Sequence, residues 1–495
     1  MTELPAHFEM WRFVNSKLGV VVRNTMFSIL MASAAMAGSA GYAQDSSDVS
    51  DNVLLGDSAA ILPTPSSDET LDKNSASLSA SAETLADSIR AAYERNPSIL
   101  AQRKQRMIAD ERLEQARSTK RPQVSVSTSA GYAITRSNQS FLGSTGPEIS
   151  TQAPQTTFGL EFRQSLWNGG RNDAAVGEAS ASVTAAESQL FSAEQQMILN
   201  VVTNYMDVLS SEAEVDIRKN NVSVLSRQVE AATDRFNVGE VTRTDVAQAQ
   251  ARHAGARAQL ASAQAQLESN RAVFQELVGR WPTQLSQIAF TPAYPEGLDE
   301  AVSAAIEFNP DLLVAKANVE AASQRVKSAK GQTRPDIAIV GAAGLSQSYD
   351  DDTFENNNAS VVAQLRLPLY QGGRIASQIR AAALERDQLR LQYRAAERNL
   401  IAQVTRAWHG ALASSRAIEA SERQVEAAQI AFDGAEQELA VGLRTTLDLL
   451  DQEQELLDAR LLLIQANRDH YVAVHQLLAA MGALTPESLG VNTSL

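Results

Sequence analysis

The chain has 495 residues, of which 44% are apolar and 5% aromatic, and its formal net charge is −15. The negative charge argues against a non-specific nucleic-acid binder, which usually presents a basic face. The absence of cysteine excludes disulfides, thiol nucleophiles, cysteine metal sites and an acylated lipoprotein anchor. Many Ala, Gln and Leu residues with few aromatics favour long helices packed through small side chains.

The first 43 residues have the pattern of an export signal peptide, residues 1–43. Basic residues precede a mildly apolar stretch at 25–37, and small residues at 41–43 offer a cleavage site. A membrane-spanning helix would need about 20 apolar residues, so we favour secretion over an anchor. Residues 44–82 are rich in Ser and Asp and predict a disordered acidic leader. No later segment is apolar for long enough to span a bilayer as a helix, so a membrane part would consist of strands.

Most of the remaining chain is an internal repeat. Asn96-Pro97 recurs 213 residues later as Asn309-Pro310, and both pairs are typical helix starts. The strand-to-helix turn at Gly169, Gly170 and Arg171 recurs 203 residues later as Gly372, Gly373 and Arg374. The ten-residue difference must therefore lie in a loop between these landmarks. We predict a first repeat at 83–279, a linker at 280–296, a second repeat at 297–482 and a C-terminal tail at 483–495.

Each repeat contains two segments in which apolar and polar residues alternate, which is the pattern of half-buried strands. The predicted strands lie at about 122–136 and 155–168, and again at about 335–348 and 359–371. Each is long enough to cross a bilayer, which takes about 9–11 residues. The polar residues between them, 137–154 and 350–358, predict loops.

Two unusually long helices follow the glycine turns. The spans 171–238 and 374–441 each contain 68 residues and no proline. At about 1.5 Å per residue, each predicts a helix roughly 100 Å long. Apolar residues three and four apart predict antiparallel coiled coils that reverse at tips 238–244 and 441–447. The expected fold is mainly α with membrane β. Four strands cannot close a barrel, because the smallest need about eight, so copies of the chain must combine.

The paired helix starts, glycine turns and tip sequences (residues 236–246 and 439–449), in this order and twice, resemble the TolC family of outer-membrane channels. The resemblance implies a homotrimer with a 12-stranded β-barrel in outer-membrane lipid and an α-helical tunnel in the periplasm. It also implies an exit duct for a tripartite efflux or type I secretion system. The expected partners are a periplasmic adaptor (membrane fusion) protein and an inner-membrane ABC or RND-type transporter. The sequence does not identify the cargo.

The resemblance also implies roles for residues at the tips. Asp448 and Asp451 match two aspartates that ring the periplasmic entrance, where they would favour cations and raise some of each other's pKa values by repulsion. Thr244, Asp245 and Arg444 match residues that latch neighbouring coils shut, although Leu439 stands where the family has a tyrosine. Six residues match the clefts where adaptors dock: Val238, Gly239, Glu240, Val441, Gly442 and Leu443.

Simpler interpretations stay open at this stage. Asp448 and Asp451 begin an acidic run that includes Glu453, and such runs are usually solvated helix faces. Arg444 could be an ordinary tip residue. The glycine turns lack the Lys-Ser/Thr ending of a phosphate loop. The five histidines never fall at metal-ligand spacing, and no nucleophile–base pair is evident, so we expect neither a cofactor nor enzymatic activity. The alternative function is a soluble periplasmic coiled-coil scaffold or adaptor.

Overall fold

A computed structural model describes residues 82–141, 144–288, 291–349 and 354–486. The predicted signal peptide, nearly all of the acidic leader and most of the C-terminal tail lie outside these residues. Among the described residues, no helix combines the length and hydropathy needed to cross a membrane.

The described residues form one series of elements twice. The first series is α1 (Leu85–Arg95), α2 (Pro97–Ser118), β1 (Gln123–Phe141), β2 (Ser144–Trp167), α3 (Arg171–Asn237) and α4 (Arg243–Val278). The second is α5 (Leu298–Phe308), α6 (Pro310–Gly331), β3 (Asp336–Ser348), β4 (Phe354–Arg366), α7 (Arg374–Ala440) and α8 (Thr446–Ala480). Both long helices, α3 and α7, have 67 residues, and each ends one residue before the predicted position.

Asparagine side chains start α2 and α6 in the same way. Asn96 Oδ1 accepts from the Ser98 amide at 2.9 Å, and Asn309 Oδ1 accepts from the Leu312 amide at 3.1 Å. Each amide nitrogen also donates to the end of a returning helix, at Leu277 O and Ala480 O respectively. Proline at the first helical position loses no intrahelical bond there. One residue thus caps a helix and ties it to another in both repeats.

The four strands form one antiparallel sheet in the order β1-β2-β3-β4, which leaves β1 and β4 at its edges. The two hairpins have equivalent registers: Gln123 pairs with Arg163, and Asp336 pairs with Arg366. Their lengths differ. β1 and β2 have 19 and 24 residues, whereas β3 and β4 have 13 each.

Two strand predictions were wrong in extent. The segment 137–154, predicted as a loop, continues the first hairpin apart from residues 142–143, which lie outside the described residues. The hydrogen bonds between strands join backbone groups and need no apolar side chains, so the hairpin can continue into a polar segment. β4 covers 354–366 rather than 359–371. Its early end follows from Pro368, which has no N–H to donate to a ladder.

The helices form a layer that has two unpaired edges. Next to the sheet, α2 packs on α3, α3 on α6 and α6 on α7; towards the tips, α4 packs on α3, α3 on α8 and α8 on α7. Near the middle of the long helices lies the main apolar core, which includes Ile198, Tyr205, Phe274, Val404 and Leu477. The short helices also contribute to this core, α1 packing on α3 and α5 on α7.

Candidate functional sites in the sheet and at the helix tips

The sheet has one apolar and one polar face, because side chains alternate along each strand and the registers align like with like. The apolar face carries Val124, Val126, Tyr132, Leu160, Phe162, Ile337, Ile339, Leu345, Val361 and Leu365. The opposite face is mostly polar: it carries Ser125, Ser127, Ser129, Thr157, Glu161, Arg163, Ser346 and Ser360, together with the apolar pair Val340 and Val362. Much of the apolar face is exposed, and Val361 reaches 79%. An exposed apolar surface of this kind marks contact with lipid or with another protein.

The predicted glycine turns connect the sheet to the long helices. Gly169, Gly170, Gly372 and Gly373 all have positive φ, between 59° and 86°, where a side chain is strained. At Gly169 space is also short: an added Cβ would lie 2.4 Å from the carbonyl oxygen of Gly331. At Gly372 an added Cβ would meet nothing within 4 Å. The first turn is thus buried against the second repeat, whereas the second turn is open in a single chain.

The two predicted docking tips have nearly the same backbone. Gly239 at φ 86° and Gly442 at φ 77° reverse the chain. The Glu240 amide donates to Arg235 O, and the Leu443 amide donates to Glu438 O, each at 2.9 Å. The apolar side chains of Val238, Val441 and Leu443 are largely exposed.

Asp245 and Asp448 occupy equivalent positions at the start of the returning helices. Asp448 Oδ2 accepts from the amide of Thr445 at 3.1 Å and from its hydroxyl at 2.8 Å; Asp245 bonds to Thr242 in the same way. The Thr445 side-chain hydrogen bond, its backbone hydrogen bond and the charge of Arg444 hold the pKa of Asp448 below its usual value. In a single chain the pKa of Asp448 is therefore lowered, whereas the proposed carboxylate ring predicts that some of its pKa values are raised. The difference arises because the carboxylates that would repel Asp448 belong to other copies of the chain.

Asp451 has a partner that the sequence did not indicate. Its Oδ1 accepts from Arg252 Nη2 of α4 at 2.6 Å, and Arg252 Nη1 also reaches Leu450 O at 3.4 Å. This ion pair joins the two repeats near the tips. Arg252 was missed because a contact 199 residues apart in the sequence depends on the relative rotation of two helices.

The predicted latch residues lie at two separate tips: Thr244 and Asp245 at the first, and Arg444 at the second. Arg444 Nε donates to Glu438 Oε2 at 2.5 Å, across its own turn. Thr244 is exposed in the first turn of α4, beside the capping residue Asp245. The contact that the latch prediction requires, between neighbouring coils, is not formed by these side chains within one chain. Leu439 lies in the last turn of α7.

One member of the acidic run in α8 is buried, so the run is not a uniformly solvated helix face. Glu453 is only 6% exposed, and Asn221 Nδ2 of α3 donates to its Oε1 at 3.0 Å. Burial raises the pKa of Glu453 to about 7, against the lowering effects of Asn221, Arg252 and Arg227. Sequence spacing contained the signal, because Glu453 lies four residues after Leu449 on an apolar helix face.

No cluster of three or more His, Cys, Asp or Glu side chains within the described ranges could hold a metal. His475 is fully buried in α8, and its Nδ1 lies 2.7 Å from Tyr471 O. Burial lowers the pKa of His475, which favours the neutral ring. His7 lies outside the described residues.

The sequence matches a family model described as outer membrane efflux protein over residues 88–280 and 301–483. These two spans correspond to the two repeats.

Individual proteins match over most of the chain. The outer membrane efflux protein BepC of Brucella suis biovar 1 is 32% identical over 414 residues, which cover 83% of this chain and 88% of BepC. The outer membrane protein TolC of Vibrio cholerae is 27% identical over 84% of this chain and 94% of that protein. The crystal structure of VceC from Vibrio cholerae superposes with a TM-score of 0.70 at 23% identity, covering 80% of this chain and 96% of VceC.

Proposed function

This chain belongs to the outer membrane efflux protein family, and from that premise we propose that three copies close into one continuous duct. The chain is an outer-membrane channel subunit that serves as the exit duct of a tripartite efflux or type I secretion system, with its helical part in the periplasm. A soluble scaffold is not favoured. What remains to be proposed is how copies join, which residues gate the duct and which partners dock on it.

The observation that carries the proposal is that the sheet and the helix layer are open at matching edges. β1 is an edge strand and follows α2, an edge helix; β4 is the other edge strand and precedes α7, the other edge helix. An unpaired strand edge in lipid leaves backbone groups without hydrogen bonds. Joining the β4 and α7 edge of one copy to the β1 and α2 edge of the next satisfies both layers at once. Three copies supply twelve strands, more than the about eight of the smallest membrane barrels.

The joint between repeats inside one chain predicts the joint between copies. In the chain, Phe158 of β2 pairs with Leu345 of β3. Applying the repeat offsets of 203 and 213 residues, the same joint places Val361 of β4 opposite Tyr132 of β1 in the neighbouring copy. Both side chains belong to the apolar face. Gly372, open in one chain, would lie against Ser118 and Arg121 of the neighbour, as Gly169 lies against Gly331 and Arg334.

The edge helices have complementary apolar surfaces at corresponding heights. α2 exposes Leu100 and Met107, and α7 exposes Leu384 and Leu391. Within the chain, Glu178 of α3 accepts from Arg325 of α6 at 2.7 Å, which fixes the height at which the equivalent pair of helices meets. By the same offsets, Leu384 and Leu391 of one copy come level with Met107 and Leu100 of the next.

The duct would have distinct surfaces for lipid, cargo and partners. The apolar sheet face would contact lipid, and the polar face would line the lumen. Asp448 and Asp451 of three copies would place six carboxylates at the periplasmic entrance, and Arg444, Thr244 and Asp245 would latch neighbouring coils. The exposed tips at Val238, Gly239, Glu240, Val441, Gly442 and Leu443 would receive a periplasmic adaptor, which connects the duct to an inner-membrane ABC or RND-type transporter. The protein would have no enzymatic activity and no cofactor.

Cysteine cross-linking tests the joint directly, because the natural chain has no cysteine. The double variant Tyr132→Cys/Val361→Cys is oxidised in isolated outer membranes and run on a denaturing gel. We expect a ladder of one, two and three chains that stops at three. Each single variant controls for chance collision, and Gly131→Cys/Val361→Cys controls for register, because residue 131 points to the opposite face.

A ladder extending beyond three chains, or equal cross-linking in the register control, would contradict the proposal. So would recovery of the mature protein as a single chain in the soluble periplasm.

A further inference from the structure

A polar junction joins the two repeats just above the entrance. It consists of Arg252 on α4, Asn221 on α3, and Asp451 and Glu453 on α8. Two hydrogen bonds hold it: Arg252 Nη2 donates to Asp451 at 2.6 Å, and Asn221 Nδ2 donates to Glu453 at 3.0 Å. Three helices therefore meet through one small set of side chains, one turn beyond the proposed entrance residue Asp448.

Glu453 is the least satisfied member of this junction. Its Oε2 is buried and has no hydrogen-bond partner, although its Oε1 is bonded to Asn221. Above and below it on α8, Leu449, Leu450 and Leu456 are buried. A charged carboxylate in such a place is costly unless it is fully hydrogen-bonded, whereas the neutral acid is tolerated.

The cleft next to Glu453 has room for water, but its Oε2 atom is buried away from that space. A cleft of about 200 Å³ is lined by Asn221, Arg252, Gln259, Leu450, Glu453 and Gln454, among others. Several polar groups line it, so it is suited to hydration rather than to an apolar ligand. An ionised Glu453 could be satisfied in two ways: by a helix shift that exposes its Oε2 to water in the cleft, or by Arg252 turning from Asp451 to Glu453.

Two arginines on the helices packed against Glu453 act on its pKa. Arg227 of α3 and Arg252 of α4 lower its pKa, as does the Asn221 hydrogen bond, but burial outweighs them and the pKa is about 7. On α8 the neighbouring Asp451 is held by Arg252. An opened and hydrated junction would return Glu453 toward the ordinary value of 4.5.

We propose that this junction is a clamp on the closed entrance, and that ionisation of Glu453 releases it. The proposal rests on the channel function proposed above and adds Arg252 and Glu453 to the groups that control it. Ionisation removes either the packing of α8 on α3 or the Arg252–Asp451 bond. Each change frees the first turns of α8, where the entrance carboxylates lie.

The direction of the pH effect follows from the two states. Below about pH 4.5 Glu453 is neutral whether the junction is closed or open, so the clamp is at full strength. Between 4.5 and 7 the closed junction keeps the proton that the open one loses, and its advantage falls as the pH rises, by up to about tenfold per pH unit. Above about pH 7 the change is complete. The entrance should therefore open more readily as the pH rises from 5 to 8.

The test is conductance of the full-length protein, purified in detergent and reconstituted in planar bilayers at pH 5, 6, 7 and 8. We expect the mean conductance of the parent to rise with pH, and Glu453→Gln to stay near the low value throughout. Glu455→Gln is the matched control, because Glu455 is exposed two residues away on the same helix. It should follow the parent.

A second variant tests the clamp without altering the carboxyl group. Asn221→Ala removes the hydrogen bond that favours the ionised form, so the closed junction should keep its proton to a higher pH. The pH at which the rise in conductance is complete, and with it the midpoint of the rise, should therefore increase. The neighbouring Asn220 is exposed, and Asn220→Ala should leave the midpoint unchanged.

The outcomes separate this inference from the channel function. A parent that conducts at every pH without a pH-dependent rise, or a Glu453→Gln variant with the parent's rise, overturns the clamp and leaves the channel standing. An unmoved midpoint in Asn221→Ala also overturns the clamp. A parent that conducts at no pH overturns both.

Discussion

Arg171 Nη2 donates to Asp336 Oδ2 at 2.6 Å and so ties the first long helix to the start of β3. By the repeat offsets, the equivalent pair at the joint between copies is Arg374 with Gln123 of the neighbour. The carboxylate is missing there. The joint inside the chain therefore contains an ion pair that the joint between copies would lack.

Restoring that carboxylate should strengthen the assembly. We expect Gln123→Asp to raise the temperature at which the detergent-resistant trimer dissociates on a gel. Arg171 and Asp336 are each about one-third exposed, and a pair of this kind contributes about 1 kcal/mol or less per joint. Gln123→Asn is the control, since it shortens the side chain equally without adding charge. A dissociation temperature that rises equally in both variants would show that charge is not the cause.

Substitution of Gly169 should be more damaging than substitution of a glycine with the same backbone strain. Gly169→Ala adds the cost of positive φ, about 1–2 kcal/mol, and also places a Cβ 2.7 Å from the Arg334 Cβ and closer still to Gly331 O. Gly239→Ala has the strain alone, since its surroundings are open. We expect a clearly lower thermal unfolding temperature for Gly169→Ala. Equal unfolding temperatures would mean that the strand-to-helix turn can shift to accept a methyl group.

The proposed entrance ring predicts the ion selectivity of the duct. We expect Asp448→Asn/Asp451→Asn to lower the cation-to-anion permeability ratio in planar bilayers and to weaken block by multivalent cations. Asparagine is preferable to alanine here, because Asp448 also caps α8 and an amide oxygen can still accept from Thr445. Asp458→Asn, an exposed acid farther along α8, is the control. Unchanged selectivity in the double variant would place these carboxylates away from the axis.

Removal of Arg444 distinguishes a latch between copies from a local ion pair. The bond to Glu438 is solvent-exposed, and such a bond contributes about 1 kcal/mol at most, or about fivefold in an equilibrium. A larger rise in basal conductance in Arg444→Ser would indicate additional contacts with a neighbouring coil. Arg423→Ser removes a similar exposed pair with Glu419 higher on α7 and should leave conductance unchanged. A parental conductance in Arg444→Ser would make this residue an ordinary part of the turn.

The helices could be predicted closely because their ends are set by local chemistry. Asn-Pro starts, glycine turns with positive φ and Thr-Asp capping boxes each leave a signature within four residues. The ends of the hairpins could not be predicted in the same way. Residues 137–141 and 144–154 look like a loop by polarity, yet their pairing depends only on backbone groups of the opposite strand. The registers between repeats also required the structure.

The candidate site residues also divide into those with a local sequence signature and those that depend on contacts distant in the sequence. Asp448 and Asp245 could be singled out because they belong to repeated tip sequences that resemble those of the family, and their roles at the entrance stay predictions. Arg252 was missed because its contact joins two helices far apart in the sequence, and Glu453 was missed because its acidic neighbours hid its place on the apolar helix face after Leu449. In α8, Glu453 is buried against α3 and shares a helix face with Leu449 and Leu456, while Glu455 is exposed.

The unequal hairpins give the two ends of the proposed trimer different symmetry. Around the ring, three tall hairpins would alternate with three short ones, so the outer rim would be notched, and a molecule approaching from outside would meet three identical recesses. At the other end the two long helices have the same length and reverse through nearly the same turn. A docking protein would therefore encounter six binding sites with nearly the same backbone, which differ mainly in side chains such as Glu240 and Leu443.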